Sequence, residues 1–299
     1  MIRFTFRLLT NKKHFSSLIH DVFNKETKWS NVDSLITNKS SEKGKHTPDS
    51  ILNVANKGLR FQIFDASFWN QINDLAVELK DSFTPSHWVK LIHIYKRIKI
   101  RNINLYNIAL EQLDYDFNSL SLKELSILAL SFSYFSICQP PLFNSIVNTI
   151  CCRHEIGKLK ELESLINSRI NNTQAEYMPT NTQITTQKTC DTVSYIHLIS
   201  AYAKCGFDSK PLFEVATDNI IKNIKSGLII PSNLIMKFVN SYSRFGYRHK
   251  ELFDLLCDQI LTSNLPDEDL HTIKNIFSQL NYENEKMNAI FSYRLGNSN

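Results

Sequence analysis

The sequence predicts an all-α protein, an α-solenoid of about six helix-turn-helix repeats with a pitch of roughly 35–40 residues. Three observations predict this fold. Glycine and proline are scarce, at 7 and 8 of 299 residues, which disfavours an all-β chain full of tight turns. A phrase of aromatic, basic and apolar residues recurs along the chain, and apolar residues follow a helical period inside each copy.

The recurring phrase is clearest in SYSRFGYRHKELF (241–253) and AYAKCGFDSKPLF (201–213). SFSYFSICQPPLF (131–143) and IYKRIKIRNINLY (94–106) also match, and the windows 57–69 and 276–288 match more weakly. The interval between the third and fourth copies is close to two pitches and contains a polar, low-complexity stretch. The six windows end at Trp69, Tyr106, Phe143, Phe213, Phe253 and Asn288, with spacings of 37, 37, 70, 40 and 35 residues.

Residues 231–263 illustrate one unit. Helix A is predicted from Pro231 to about Phe245, Gly246 has the position of a glycine that ends a helix, and helix B follows from about His249 to Leu261. Thr-Pro pairs at 47 and 84 and the acids at 267–269 are typical of helix starts. An aromatic column lies in the apolar stripe of helix A, so core packing between units is favoured over a base-stacking ladder: Tyr95, Phe132, Tyr202, Tyr242 and Phe277.

The predicted domain organisation has four parts. Residues 1–46 are interpreted as a mitochondrial presequence and polar linker, because the first 20 residues are basic, amphipathic and free of acids; an ordinary basic first helix is the alternative. Residues 47–152 hold repeats 1–3, and residues 191–299 hold repeats 4–6. Between them, residues 153–190 are expected to form a degenerate helix and a low-complexity insert. No apolar run is long enough for an integral membrane span.

The sequence carries no recognisable catalytic motif. It lacks a glycine-rich phosphate loop, HExxH, GxSxG and paired Cys/His metal spacings, so we expect no enzyme activity, no cofactor and no metal site. The six cysteines form no CxxC pair, and several lie in apolar helical patterns, so they are expected to be reduced, buried thiols.

A basic face emerges when the A helices are aligned. Three columns at offsets of zero, three and seven residues share one helical face and hold six Lys or Arg, two His and no acid. One helix B column has the opposite sign, with Asp74, Glu111, Asp218 and Asp258. The third unit interrupts the basic face with Ile127, Leu130 and Tyr134.

This mixture of residues fits single-stranded RNA, because Lys and Arg bind phosphates while amides, hydroxyls and imidazoles contact base edges. A merely solvated polar face is the alternative. The predicted phosphate contacts are Arg60, Lys90, Arg97, Lys204, Lys237 and Arg244, and the predicted base contacts are Asn56, His93, Ser200, Asn240 and Asn275.

The phrase SYSRFGYRHKELF, together with AYAKCGFDSKPLF and the pitch, resembles the heptatricopeptide-type helical repeats of apicomplexan organelle RNA-binding proteins, over residues 47–295. These repeats are similar in style to FAST-kinase-like/RAP proteins, octotricopeptide repeats and the RNA-editing substrate-binding-complex subunits of kinetoplastids. The resemblance implies a mitochondrial matrix protein that processes or stabilises transcripts or holds rRNA fragments, with mitoribosomal or other RNP proteins as partners. No RAP module is found after the sixth unit. The alternative is a structural scaffold of the mitoribosome or a respiratory complex that binds protein rather than RNA.

Overall fold

The computed structural model describes residues 46–115, 117–170, 181–263 and 265–296. These residues form twelve α-helices and no β-strand, which confirms the all-α class and is compatible with an α-solenoid of helical repeats. The chain divides into two compact units, residues 1–112 and 113–299, which are described separately below. The predicted presequence lies outside the described residues.

The first unit contains two helix pairs. Helices α1 (Pro48–Arg60) and α2 (Ala66–Glu78) form the first pair, and a short 3₁₀ turn (Lys80–Ser82) leads to α3 (Pro85–Ile98) and α4 (Ile103–Leu113). Helix α1 packs against both α2 and α3. Thr47 and Thr84 cap α1 and α3 as expected, each through a capping box with the residue three positions later.

The second unit has two layers of helices. The A layer comprises α5 (Leu122–Tyr134), α7 (Asn181–Cys205), α9 (Ser232–Arg244) and α11 (Asp267–Gln279). The B layer comprises α6 (Pro140–Ile170), α8 (Lys210–Lys225), α10 (Lys250–Thr262) and α12 (Glu285–Ile290), which a π-helical turn (Phe291–Leu295) continues. Successive helices of each layer pack on one another, so each repeat lies beside the next in this unit.

The turn that ends helix A has the same backbone in all six repeats. One residue has a left-handed φ, and the N–H of the following residue donates to the carbonyl five positions back, at 2.9–3.1 Å. This pattern is the Schellman motif, which satisfies the last carbonyls of a helix. The left-handed residues have the spacings that the sequence windows predict: Gln62, Lys99, Ser136, Gly206, Gly246 and Asn281.

The aromatic column is buried, as expected. Three of its members also reach back to the preceding repeat, because their hydroxyls donate to a main-chain carbonyl of that repeat's helix B. Tyr95 donates to Trp69 at 2.9 Å, and Tyr242 donates to Phe213 at 3.3 Å. Tyr202 makes the equivalent bond to Phe143. The column therefore joins neighbouring repeats and leaves no ring free to stack on bases.

One expectation about residues 138–205 differs from the structure. Cys138 and Cys205 form a disulfide across a sequence separation of 67 residues, so the expectation of six reduced thiols is wrong for this pair. The turns at the ends of α5 and α7 bring the two residues together, a proximity that periodicity within single helices does not reveal. The segment 153–190 contains the second half of the continuous helix α6 and the start of α7.

Candidate nucleic-acid interface

The eleven predicted RNA-binding residues all lie on A-layer helices or on α1 and α3, their counterparts in the first unit. In α9, the buried residues Leu234, Phe238 and Tyr242 define the inner face. Lys237, Asn240 and Arg244 are offset from that face and are exposed, as the helical period requires. Nine of the eleven are exposed, whereas His93 and Ser200 are half-buried; the exposed set is Asn56, Arg60, Lys90, Arg97, Lys204, Lys237, Asn240, Arg244 and Asn275.

The structure groups these residues separately in each unit. In the first unit, Arg60 ends α1, and Lys90 and Arg97 lie on α3 two turns apart. In the second unit, Lys237 and Arg244 have the same spacing on α9. A separation of seven residues corresponds to a rise of about 10 Å along a helix, so each pair presents two cations on the same face.

None of the six cations has an acidic partner within the described residues, although Lys204 makes other contacts that are described below. No carboxylate oxygen in that part of the chain lies within 4.0 Å of Arg60, Lys90, Arg97, Lys237 or Arg244. Within that part of the chain, no carboxylate compensates their charges. An anionic ligand could bind them without first breaking an ion pair.

Lysines of the B layer behave differently, because five of the seven in the described helices are paired with carboxylates. The hydrogen bond from Lys222 lowers the pKa of Glu161, and the hydrogen bond from Lys225 lowers the pKa of Glu251. Two of the four acids expected on this layer, Asp218 and Asp258, are paired with lysines of neighbouring helices. The pairs are Lys158–Asp218 at 3.5 Å, Lys222–Glu161 at 2.7 Å, Lys286–Asp258 at 2.7 Å, Lys210–Glu214 at 3.7 Å and Lys225–Glu251.

Lys204 is the exception among the six predicted phosphate ligands. Its ammonium lies 5.2 Å from the ring centre of Tyr134 and donates to the Tyr134 carbonyl at 3.3 Å. The interrupted third repeat therefore holds the cation of the fourth repeat through a cation–π contact. Sequence columns could not show this contact, because Tyr134 and Lys204 are 70 residues apart.

An amide-rich groove of the first unit was missed by the sequence columns. It has a volume of about 490 Å³ and is lined by Arg101 and four asparagines. Asn102 caps the start of α4 by accepting from the Leu105 N–H at 3.1 Å, and its amide donates to Asn73 at 3.1 Å. The columns were restricted to helix A, whereas these residues lie on α2, in the turn before α4 and in the first turn of α4. The lining asparagines are Asn70, Asn73, Asn102 and Asn104.

Across the described residues, no cluster of three or more His, Cys, Asp or Glu could hold a metal ion. None of the described helices is both long and apolar enough to cross a membrane. No known family model matches the chain, and no curated protein is significantly similar to it.

Proposed function

We propose that this protein binds single-stranded RNA along the exposed face of its A helices and acts in mitochondrial RNA processing, RNA stability or rRNA assembly. The segregation of charge carries the proposal. The six cations of that face lack an acidic partner among the described residues, whereas five of the seven B-layer lysines are paired with carboxylates. A fold that compensates one layer and leaves the other cationic is suited to a polyanion.

Exposed amides beside the cations support RNA over a generic polyanion. Asn240 lies between Lys237 and Arg244 on α9, and Asn56 precedes Arg60 on α1. Amide side chains donate to and accept from base edges, which a single strand presents and a duplex conceals. The cations would hold the phosphates, and the amides would contact the bases of the same segment.

The test measures RNA binding at a series of salt concentrations. Binding is monitored by the fluorescence anisotropy of a labelled single-stranded RNA of mixed sequence. Each lost phosphate contact should reduce the slope of log K against log salt by about 0.7. The double variant Lys237→Gln/Arg244→Gln should therefore lose about 1.4 from the slope. Lys222→Gln/Lys225→Gln is the matched control, because it removes the same charge from the same unit but from the paired layer.

If the two double variants lost the same amount from the salt slope, the A-face site would be refuted and a general charge effect would be indicated. If the unsubstituted protein did not bind RNA, the proposed function itself would be refuted. The mitochondrial part of the proposal is tested separately, by fusing residues 1–46 to a fluorescent protein. A fusion that remained in the cytosol would contradict it.

A protein-binding scaffold is the second candidate, and the third repeat favours it. Ile127 and Leu130 occupy the face that is polar in other repeats, and both are half-buried. Apolar residues at these positions suit a protein partner better than RNA. Affinity purification of the tagged protein distinguishes the two: a stable set of proteins with only background RNA would support the scaffold.

A further inference from the structure

The second half of α6 carries an exposed apolar stripe. Ile156, Leu159, Leu162 and Ile166 are 46%, 65%, 56% and 50% exposed. Their spacings of three, three and four residues place them on one side of the helix. Four adjoining aliphatic side chains exposed to water on one helix are typical of an interaction surface.

Two ion pairs fix which way the stripe points. Lys158 pairs with Asp218 at 3.5 Å, and Glu161 pairs with Lys222 at 2.7 Å. Both partners lie on α8, so Lys158 and Glu161 mark the face of α6 that looks toward α8. The stripe is centred about 125° around the helix from that face, and its side chains are exposed.

The exposed charges beside the stripe are complementary to those of an antiparallel second copy. In KLKELE (158–163), Leu159 and Leu162 belong to the stripe, whereas Lys158 and Glu161 are already held in ion pairs with α8. The exposed pair Lys160 and Glu163 flanks the stripe on one edge, and neither has an ion-pair partner within the described residues. In an antiparallel pair related by a two-fold axis, each edge of the stripe lies against the same edge of the other copy. Lys160 of each copy would therefore meet Glu163 of the other, which gives two ion pairs.

We propose that the second half of α6 is a self-association surface, on which two copies of this chain pair as antiparallel helices. The apolar stripe forms the seam, and the Lys160–Glu163 pairs set the direction. A parallel pairing would place this edge against the opposite edge of the other copy, so Lys160 and Glu163 would not meet. One helix pair buries less area than a standard interface, so the expected Kd is on the order of 1–100 μM. This surface is distinct from the RNA-binding face and does not depend on it.

The test is sedimentation velocity of the full-length protein over a range of concentrations. The unsubstituted protein should shift from monomer to dimer, and Leu159→Gln/Leu162→Gln should raise the Kd by about tenfold or more. Both leucines are mostly exposed, so the circular dichroism of the variant should be unchanged. Ile229→Gln is the matched control, because Ile229 is 76% exposed in the loop between α8 and α9, away from the stripe.

Charge reversal tests the antiparallel arrangement. Lys160→Glu and Glu163→Lys should each weaken self-association, and an equimolar mixture of the two single variants should restore it. A mixture that stayed monomeric would overturn the antiparallel arrangement. A protein that is monomeric at every concentration, or a dimer that Leu159→Gln/Leu162→Gln leaves intact, would overturn the proposal. Protection of residues 156–166 from hydrogen exchange in a monomer would show that another segment of the chain covers the stripe instead.

Discussion

Two glycine-to-alanine substitutions in the second unit should change stability in opposite directions. Gly246 ends α9 with φ 66°, and Gly157 lies inside α6. A Cβ added at either position meets no other atom within 4 Å, so packing cannot distinguish them. The local backbone conformation is the only difference that the two substitutions test.

The magnitudes follow from that conformation. An L-residue in the left-handed region costs about 1–2 kcal/mol, and the loss of glycine's freedom in the unfolded chain offsets about 0.4–1 kcal/mol. Gly246→Ala should therefore destabilise the second unit by about 1 kcal/mol. In the interior of a helix, alanine is favoured over glycine by about 0.8–1.0 kcal/mol, so Gly157→Ala should stabilise it by a similar amount.

Thermal unfolding followed by far-ultraviolet circular dichroism measures both effects, and each should move Tm by about 2–4 °C for a unit of this size. Because repeat arrays can unfold in stages, hydrogen exchange of residues 238–247 should accompany the melt. Gly246→Ala should accelerate exchange of the Tyr247 amide, which donates to the Tyr242 carbonyl at 3.0 Å. If Tm shifted in the same direction for the two variants, the left-handed turn at Gly246 would be refuted, and the repeated Schellman motif with it.

Three further predictions concern single contacts. Tyr242→Phe should lower the free energy of unfolding by about 1–2 kcal/mol in a urea titration, because the hydroxyl bonds to the preceding repeat at two points; an unchanged midpoint would contradict those bonds. Reducing the Cys138–Cys205 disulfide should lower the free energy of unfolding by on the order of 4 kcal/mol, because the bond closes a long loop in the unfolded chain. Peptide mapping without reductant should find the two cysteines linked, and two free thiols at these positions would refute the disulfide. Burial raises the pKa of the Cys257 thiol to about 12, so this thiol should stay protonated at pH 8 and resist iodoacetamide in the folded protein. The exposed Cys152 should react under the same conditions, and equal labelling of the two cysteines would contradict the burial of Cys257.

The repeat was predictable because it depends on local chemistry. In most repeats, a left-handed turn after helix A, an aromatic residue five positions before the closing amide and a capped helix B all fall within about a dozen residues. Their spacing therefore appears in the sequence. The outward direction of Lys237 and Arg244 was predictable for the same reason, since the buried stripe of α9 fixes the opposite face.

Contacts between repeats were not predictable in the same way. The disulfide, the Lys204–Tyr134 contact and the Lys222–Glu161 pair all join residues of different repeats. The helical period gives the direction of a side chain but not its neighbour on the next helix. For this reason, the sequence predicted a basic face and a mildly acidic back, whereas the structure shows which charges remain without an acidic partner.

The two proposed surfaces lie on different layers of the second unit, which makes them separable. Lys237 and Arg244 belong to the A layer, and the stripe at Leu159 and Leu162 belongs to a B-layer helix. Lys237→Gln/Arg244→Gln should therefore self-associate normally while losing salt dependence in RNA binding. Leu159→Gln/Leu162→Gln should keep the salt slope at low protein concentration, but should lose any gain in affinity that two linked faces provide on a long RNA. If one variant abolished both properties, the two surfaces would not be independent, and the assignment of each layer to a separate partner would be wrong.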